Sequence, residues 1–156
     1  MSLIDAGYNP EPAPSAPLDN NGFWPQVEPD DFRKAERLID TVPNERIEYA
    51  LRVAMADINR QLRTWQAEQQ GQGAATINDV TPPNWQSPGI YPLLYRRAVY
   101  ATAHASLLER YREISATREG DERGEAKDLA ADDYRRDARW AVAEIQDRNH
   151  TVVELI

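Results

Sequence analysis

The run from Ile90 to Ile114, IYPLLYRRAVYATAHASLLERYREI, constrains the fold of this chain more than any other stretch. Its only proline, Pro92, lies near the start, and it contains no glycine. Apolar or small residues recur at Leu94, Ala98, Ala101, Ala105 and Leu108, spaced by three or four, and so fall on one helical stripe. A second stripe runs through Tyr100, Ala103, Leu107, Tyr111 and Ile114. A helix on the surface of a bundle needs one apolar stripe, so two stripes predict a helix covered on both sides. Alanines on the first stripe let a neighbouring helix approach closely. The expected fold class is all-α, a small bundle of about four helices around this central one.

Its neighbours follow from the same spacing rule. Pro29 suits a first helical turn, Asp30 and Asp31 complement the helix dipole, and a short helix to Ile39 is expected. Phe32, Ala35, Leu38 and Ile39 give it an apolar face. A longer helix is expected from Pro43 to Gln69, with Ile47, Leu51, Ala54, Ile58, Leu62 and Trp65 along one side. Residues 74–89 carry Pro82, Pro83, Pro88 and Gly89 and read as a loop, pinned by Ile77, Val80 and Trp85. A charged turn over residues 119–125 precedes a last helix from Glu125 to Asp147, where Ala126, Ala130, Tyr134, Ala138, Ala141 and Ile145 share a face. The predicted core is Ile47, Leu51, Ile58, Leu62, Leu94, Ala98, Ala101, Ala105, Leu108, Tyr134, Ala138, Ala141 and Ile145.

The two ends read differently, dividing the chain into an arm (1–28), a bundle (29–147) and an extended tail (148–156). Residues 1–29 hold six of the eleven prolines, a density that favours an extended, solvated backbone. Phe23 and Trp24, beside Pro25, are the exception. They read as an anchor packing on the chain's own helices or on a neighbouring subunit, and are carried forward as an inter-subunit anchor. At the other end Val152, Val153, Leu155 and Ile156 form a β-branched, apolar run too short for a stable helix. Such a run suits addition to another chain's groove or sheet edge; folding back on its own bundle is the plainer alternative.

Charge narrows the function classes. The chain carries 18 basic and 26 acidic residues, a net charge of −8. Asp5, Glu11, Asp19, Glu28, Asp30 and Asp31 lie within residues 1–31, which hold no lysine or arginine. The start is thus an acidic arm and the remainder is nearly balanced. General nucleic-acid binding needs a net positive surface, so the whole-chain charge argues against it and leaves room only for a local basic patch. No apolar run is long enough to cross a bilayer, and the first residues lack a basic start and apolar block. Cysteine is absent, which removes disulfides, thiol nucleophiles and thiolate metal ligands.

Catalytic constellations are missing too. His104 sits among alanines on the central helix and reads as a partly buried histidine satisfied by a neighbour. His150 lies in the tail, and the pair has no metal-ligand spacing. Asp19-Asn20-Asn21-Gly22 lacks the later ligands of a calcium loop and reads as a turn. Gly71-Gln72-Gly73 has no lysine and no following strand, and does not read as a phosphate loop. Asp132, Asp133 and Asp137 beside Arg135, Arg136 and Arg139 are explained by ion pairs within one helix. No catalytic, cofactor-binding or metal-ligating set is expected. A soluble helical adaptor between proteins fits these observations; a small enzyme would need a polar cleft that no residue set fills.

One resemblance sharpens this. Tyr95-Arg96-Arg97-Ala98-Val99, the run from Ala105 to Arg112, the run from Arg136 to Asp147 and the ending Val153-Glu154-Leu155-Ile156 resemble the head completion (head stabilisation) protein family of temperate contractile-tailed bacteriophages, the protein L or GPL family. Thr41-Val42-Pro43 and Phe23-Trp24-Pro25 match more weakly. The likeness covers roughly residues 23–156 in order, and none of it is a catalytic motif. It implies a non-enzymatic, all-helical connector of the virion neck, made in the host bacterial cytoplasm. Such proteins form a ring of identical subunits below the portal protein after DNA packaging. They extend the channel, retain the packaged DNA without sequence-specific binding, and present a surface for neck and tail-terminator proteins. No membrane or cofactor is implied. On this reading Val152, Val153, Leu155 and Ile156 dock on the portal or an adjacent subunit, and the acidic excess gives DNA a wall to which it does not stick.

Overall fold

The computed structural model describes residues 13–114 and 118–149, and over 111–128 the backbone alone. The fold is all-α: α1 (Pro29–Ala35), α2 (Asn44–Gln61), α3 (Arg63–Gly71), a 3-10 turn (Ile77–Asp79), α4 (Ile90–Ile114) and α5 (Arg118–Ile145). Among the described residues there is no strand; Leu18 and Val27 form an isolated antiparallel bridge.

Helix α4 is the centre. It starts beyond Gly89, whose φ of 80° is open to glycine at no steric cost. Pro92 lies in the first turn, where a missing N–H leaves no gap in the helical ladder. From Leu94 to Ala105 every residue except Arg96, Arg97 and Thr102 is buried. Its most extensive partner is α5, followed by α2. Helices α4 and α5 run antiparallel: Gln86, just before α4, reaches Glu144 near the end of α5, while Glu109 late in α4 reaches Arg135. The opposite side of α4 meets α2, and Phe32 of α1 packs edge-on against Tyr100, with ring centroids 5.1 Å apart. As far as Ala105, both apolar stripes are therefore covered within one chain. Burial falls off towards the end of α4, so Leu107 and Leu108 are half-buried. Leu108 and Tyr134 thus sit at the rim of the core rather than inside it. Ile47, Leu51, Ile58, Leu62, Leu94, Ala98, Ala101, Ala105, Ala138, Ala141 and Ile145 are all buried.

Three elements depart from the sequence expectation. The long helix is broken at Leu62 (φ −94°, ψ 2°) into α2 and α3 without any glycine or proline. Leu62 has no exposed surface, and the break turns Trp65 into an aromatic cluster. Helix α1 stops at Ala35, leaving Ile39 beyond it and 67% exposed. Helix α5 begins at Arg118 and runs through Gly120 and Gly124, where a turn was expected. Each glycine costs about 1 kcal/mol in a helix interior, which packing of the rest of α5 along α4 offsets.

Three helices end in the same way. After α1 the Leu38 N–H donates to the Arg33 carbonyl (3.0 Å) and the Arg37 N–H to that of Lys34 (3.2 Å). Ala74 and Gly73 repeat the pair after α3, donating to Gln69 (3.1 Å) and Gln70 (3.0 Å). Arg148 and Asp147 do so after α5, donating to Ala143 (2.9 Å) and Glu144 (3.3 Å). The residue at each turn is left-handed: φ is 51° at Arg37, 103° at Gly73 and 53° at Asp147. These are Schellman terminations, two of them built on residues that carry a Cβ and bear its cost.

The N-terminal segment is the largest departure. Residues 13–28 do not stand away from the bundle: Leu18, Phe23, Trp24 and Val27 are each at most 3% exposed. Leu18 and Val27 exchange both backbone hydrogen bonds, at 2.7 and 3.1 Å. Between them the Asn21 side-chain oxygen accepts the N–H groups of Phe23 and Trp24, both at 3.1 Å, and Gly22 takes a φ of 87°. This is the expected turn. Prolines lower the entropy lost on ordering the segment, and two buried aromatics hold it down.

Candidate interaction surfaces

Phe23 and Trp24 meet the chain's own helices, which corrects their reading as an inter-subunit anchor. The Trp24 ring stacks on Tyr95 of α4 at 4.5 Å and 8°, and faces Trp65 of α3 at 5.7 Å and 22°. Phe23 meets Trp24 edge-on at 5.1 Å, and Tyr91 lies 5.2 Å from Trp65. Large planar groups of this kind find their partners where buried area is greatest, here between α3 and α4.

A closed polar ring fixes the register of this cluster. The Tyr95 hydroxyl donates to Asn59 Oδ1 (2.7 Å), and Asn59 Nδ2 donates to Asn20 Oδ1 (2.9 Å). Asn20 Nδ2 donates back to the Tyr95 hydroxyl (2.8 Å) and to the Pro25 carbonyl (2.9 Å). Burial pushes the Tyr95 hydroxyl up to about 12, against a smaller opposing pull from the Asn20 donor. Below pH 10 Tyr95 is neutral in both the folded and the unfolded chain and contributes no pH dependence. Between pH 10 and about 12 the unfolded chain ionises first, so stability falls by about 1.4 kcal/mol per pH unit from this residue. Tyr100, raised by burial and by its hydrogen bond to Asp31 (2.6 Å), acts in the same direction. Urea unfolding between pH 8 and 11.5 is expected to show this decline, made shallower but not abolished by Tyr95→Phe.

His104 is held as a structural group. Its Nδ1 lies 2.6 Å from Glu36 Oε2, and its ring stacks on Tyr134 at 4.1 Å. Among the described residues no cluster of His, Cys, Asp or Glu could hold a metal ion, and no helix is long and apolar enough to cross a membrane.

Among the described residues the surface offers several recesses and some exposed apolar groups. A cavity of about 610 Å³ is lined by Pro14, Asp30, Arg33, Lys34, Arg37 and Leu38 among others. Its Arg33 is occupied structurally, donating to the carbonyls of Ile39 (3.2 Å) and Val42 (2.8 Å) and to Asn44 (2.9 Å). At the other end of the bundle Trp65, Pro83, Trp85, Tyr91, Ile145 and Asp147 line a cleft. Trp85, expected to pin its loop, is 71% exposed; Ile77 (3% exposed), whose N–H donates to the Phe23 carbonyl, does the pinning. Sequence reasoning placed Trp65 on the α2 core face and so missed this cleft. A tryptophan inside a proline-rich loop was the available signal.

Tyr49 and Val53, four apart on α2, are 56% and 50% exposed, and the Arg110 guanidinium lies over the Tyr49 ring at 5.1 Å. On α5, Arg136 lies 5.0 Å from the centre of the Trp140 ring. Arg135 and Glu109 form a two-pronged pair at 2.9 and 2.6 Å that ties α5 to α4. Val152, Val153, Leu155 and Ile156 lie outside the described residues.

Comparison with known proteins bears on what these surfaces serve. Residues 18–156 match the family model described as phage head completion protein (GPL). The chain is similar to the head completion/stabilization protein of Escherichia phage P2, 35% identical over 148 residues, covering 94% of this chain and 88% of that one. It is also similar to the probable head completion/stabilization protein of Haemophilus phage HP1, 25% identical over 98 residues, covering 63% and 65% respectively. No solved structure matches it.

Proposed function

The chain belongs to the phage head completion protein (GPL) family, and from this we propose that it acts as the connector that closes a filled phage head. Its role is structural, in head completion and stabilisation, and its place is in the virion. The family match over residues 18–156 carries this reading. In finer terms, identical subunits assemble as a ring below the portal after packaging, extend the DNA channel and retain the genome. Neck and tail proteins then dock on the exposed side of the ring, and before assembly the protein resides in the host cytoplasm. A net charge of −8 supports a conduit that DNA passes without sequence-specific binding.

The tail residues Val152, Val153, Leu155 and Ile156 make the portal contact in this reading. Their β-branched, apolar character suits an extended segment added to a groove or sheet edge. Deleting residues 151–156 is expected to leave helicity by circular dichroism unchanged and to abolish co-sedimentation with portal rings. Attachment that survives the deletion would sink the assignment. Electron microscopy of the protein mixed with its portal is expected to show a capping ring, whereas a persistent monomer without portal affinity favours the plain helical adaptor.

A further inference from the structure

We propose that the cleft lined by Trp65, Pro83, Trp85, Tyr91, Ile145 and Asp147 is the seat of the chain's own C-terminal segment, residues 151–156. The lining of the cleft is mixed, with Trp65, Trp85, Tyr91, Leu94 and Ile145 beside the polar Gln86, Glu144 and Asp147. Beyond Ile90 and Tyr91, which line both, it adjoins a second recess walled by Val80, Pro82, Pro88 and Pro92. The two enclose about 130 and 250 Å³, the scale of aliphatic side chains. Trp85, 71% exposed on this wall, is a large apolar surface awaiting cover.

Three observations select the occupant. The chain leaves α5 at the cleft itself, because Asp147 is both a wall residue and the left-handed turn that ends the helix. The segment that follows has the matching chemistry, with Val152, Val153, Leu155 and Ile156 and a single acid, Glu154. Its reach is sufficient, since six extended residues span about 20 Å. A segment tethered this closely outcompetes an untethered one, its effective concentration being on the order of millimolar.

The consequence for assembly rests on the reading of the tail as the portal-docking element. A tail seated in this cleft is withheld from other partners, and a portal must displace it. The seat itself does not depend on that reading.

The test uses the full chain without portal. Acrylamide quenching and the emission maximum of tryptophan fluorescence are compared among the full chain, a chain lacking residues 151–156, and a Leu155→Glu/Ile156→Glu variant. Circular dichroism checks that each is folded. Loss of the tail, by deletion or by charge, is expected to remove protection from quenching and red-shift the emission. The same comparison in a Trp85→Phe background is expected to show a smaller change, the part that comes from Trp65 on the same cleft.

Unchanged quenching on deletion overturns the proposal, as does a change that is undiminished without Trp85. Protection that grows with protein concentration also overturns it, in favour of a second copy as the occupant. Portal co-sedimentation of the same chains separates the two readings. Trp85 protected by a tail that portal attachment does not need keeps the seat and removes the portal role. The reverse pattern removes the seat alone.

Discussion

Removing residues 1–28 is expected to abolish cooperative folding, whereas removing residues 1–12 leaves every contact described above in place. The longer truncation deletes Leu18, Phe23, Trp24 and Val27, all nearly fully buried. Burying a large apolar side chain contributes about 1.5–3 kcal/mol, so the four together contribute on the order of 6–12 kcal/mol. That is comparable with the whole stability of a typical domain, about 5–15 kcal/mol. The truncation also uncovers Tyr95 and leaves Asn59 without Asn20, opening a polar ring inside the protein. Urea unfolding followed by near-ultraviolet circular dichroism checks this. A sharp transition at the full-length midpoint for the chain starting at residue 29 would show that the bundle stands alone.

Trp24→Ala is expected to cost about 3–5 kcal/mol, the range for losing a large aromatic from a packed interior. The ring lies between Tyr95 and Trp65 with Phe23 against its edge, so its removal unsupports three other aromatics. Trp24→Phe is expected to cost clearly less. It keeps an aromatic in the stack, and the indole N–H that it deletes is buried with no hydrogen-bond partner among the described residues. An unmet buried donor is itself worth about 1–3 kcal/mol against the fold. Chemical denaturation of the two variants beside the parent distinguishes these cases. Equal losses would mean that the indole N–H is satisfied in solution.

Periodicity was legible where one element meets partners along its length. Helix α4 runs over the residues its two stripes mark out, and the apolar side of α2 is the buried one. Composition misled at the N-terminal segment, because proline density describes the backbone while two aromatic side chains decide where it packs. The break at Leu62 was illegible for a different reason. All residues there are acceptable in a helix, and the bend is imposed by distant partners, Trp24 and Phe23, that Trp65 turns to meet. Helix α5 shows the converse, with glycines read locally as a turn being carried by tertiary packing. The recess around Trp85 needed the end of α5 and the loop before α4 side by side, a meeting that spacing along the chain does not encode.

The clasp formed by residues 13–28 also sets the order in which the molecule comes together. Its hydrogen bond from Asn20 to Tyr95 joins groups 75 residues apart in the chain. The hairpin of α4 and α5, by contrast, joins helices consecutive in sequence. Closing a long loop costs more entropy than closing a short one, and folding slows as contacts become less local. The clasp, which precedes the hairpin in the chain, is therefore expected to close after it. A folding molecule is expected to pair α4 with α5 before it closes the clasp, and the pair gains its stability only once the clasp has closed.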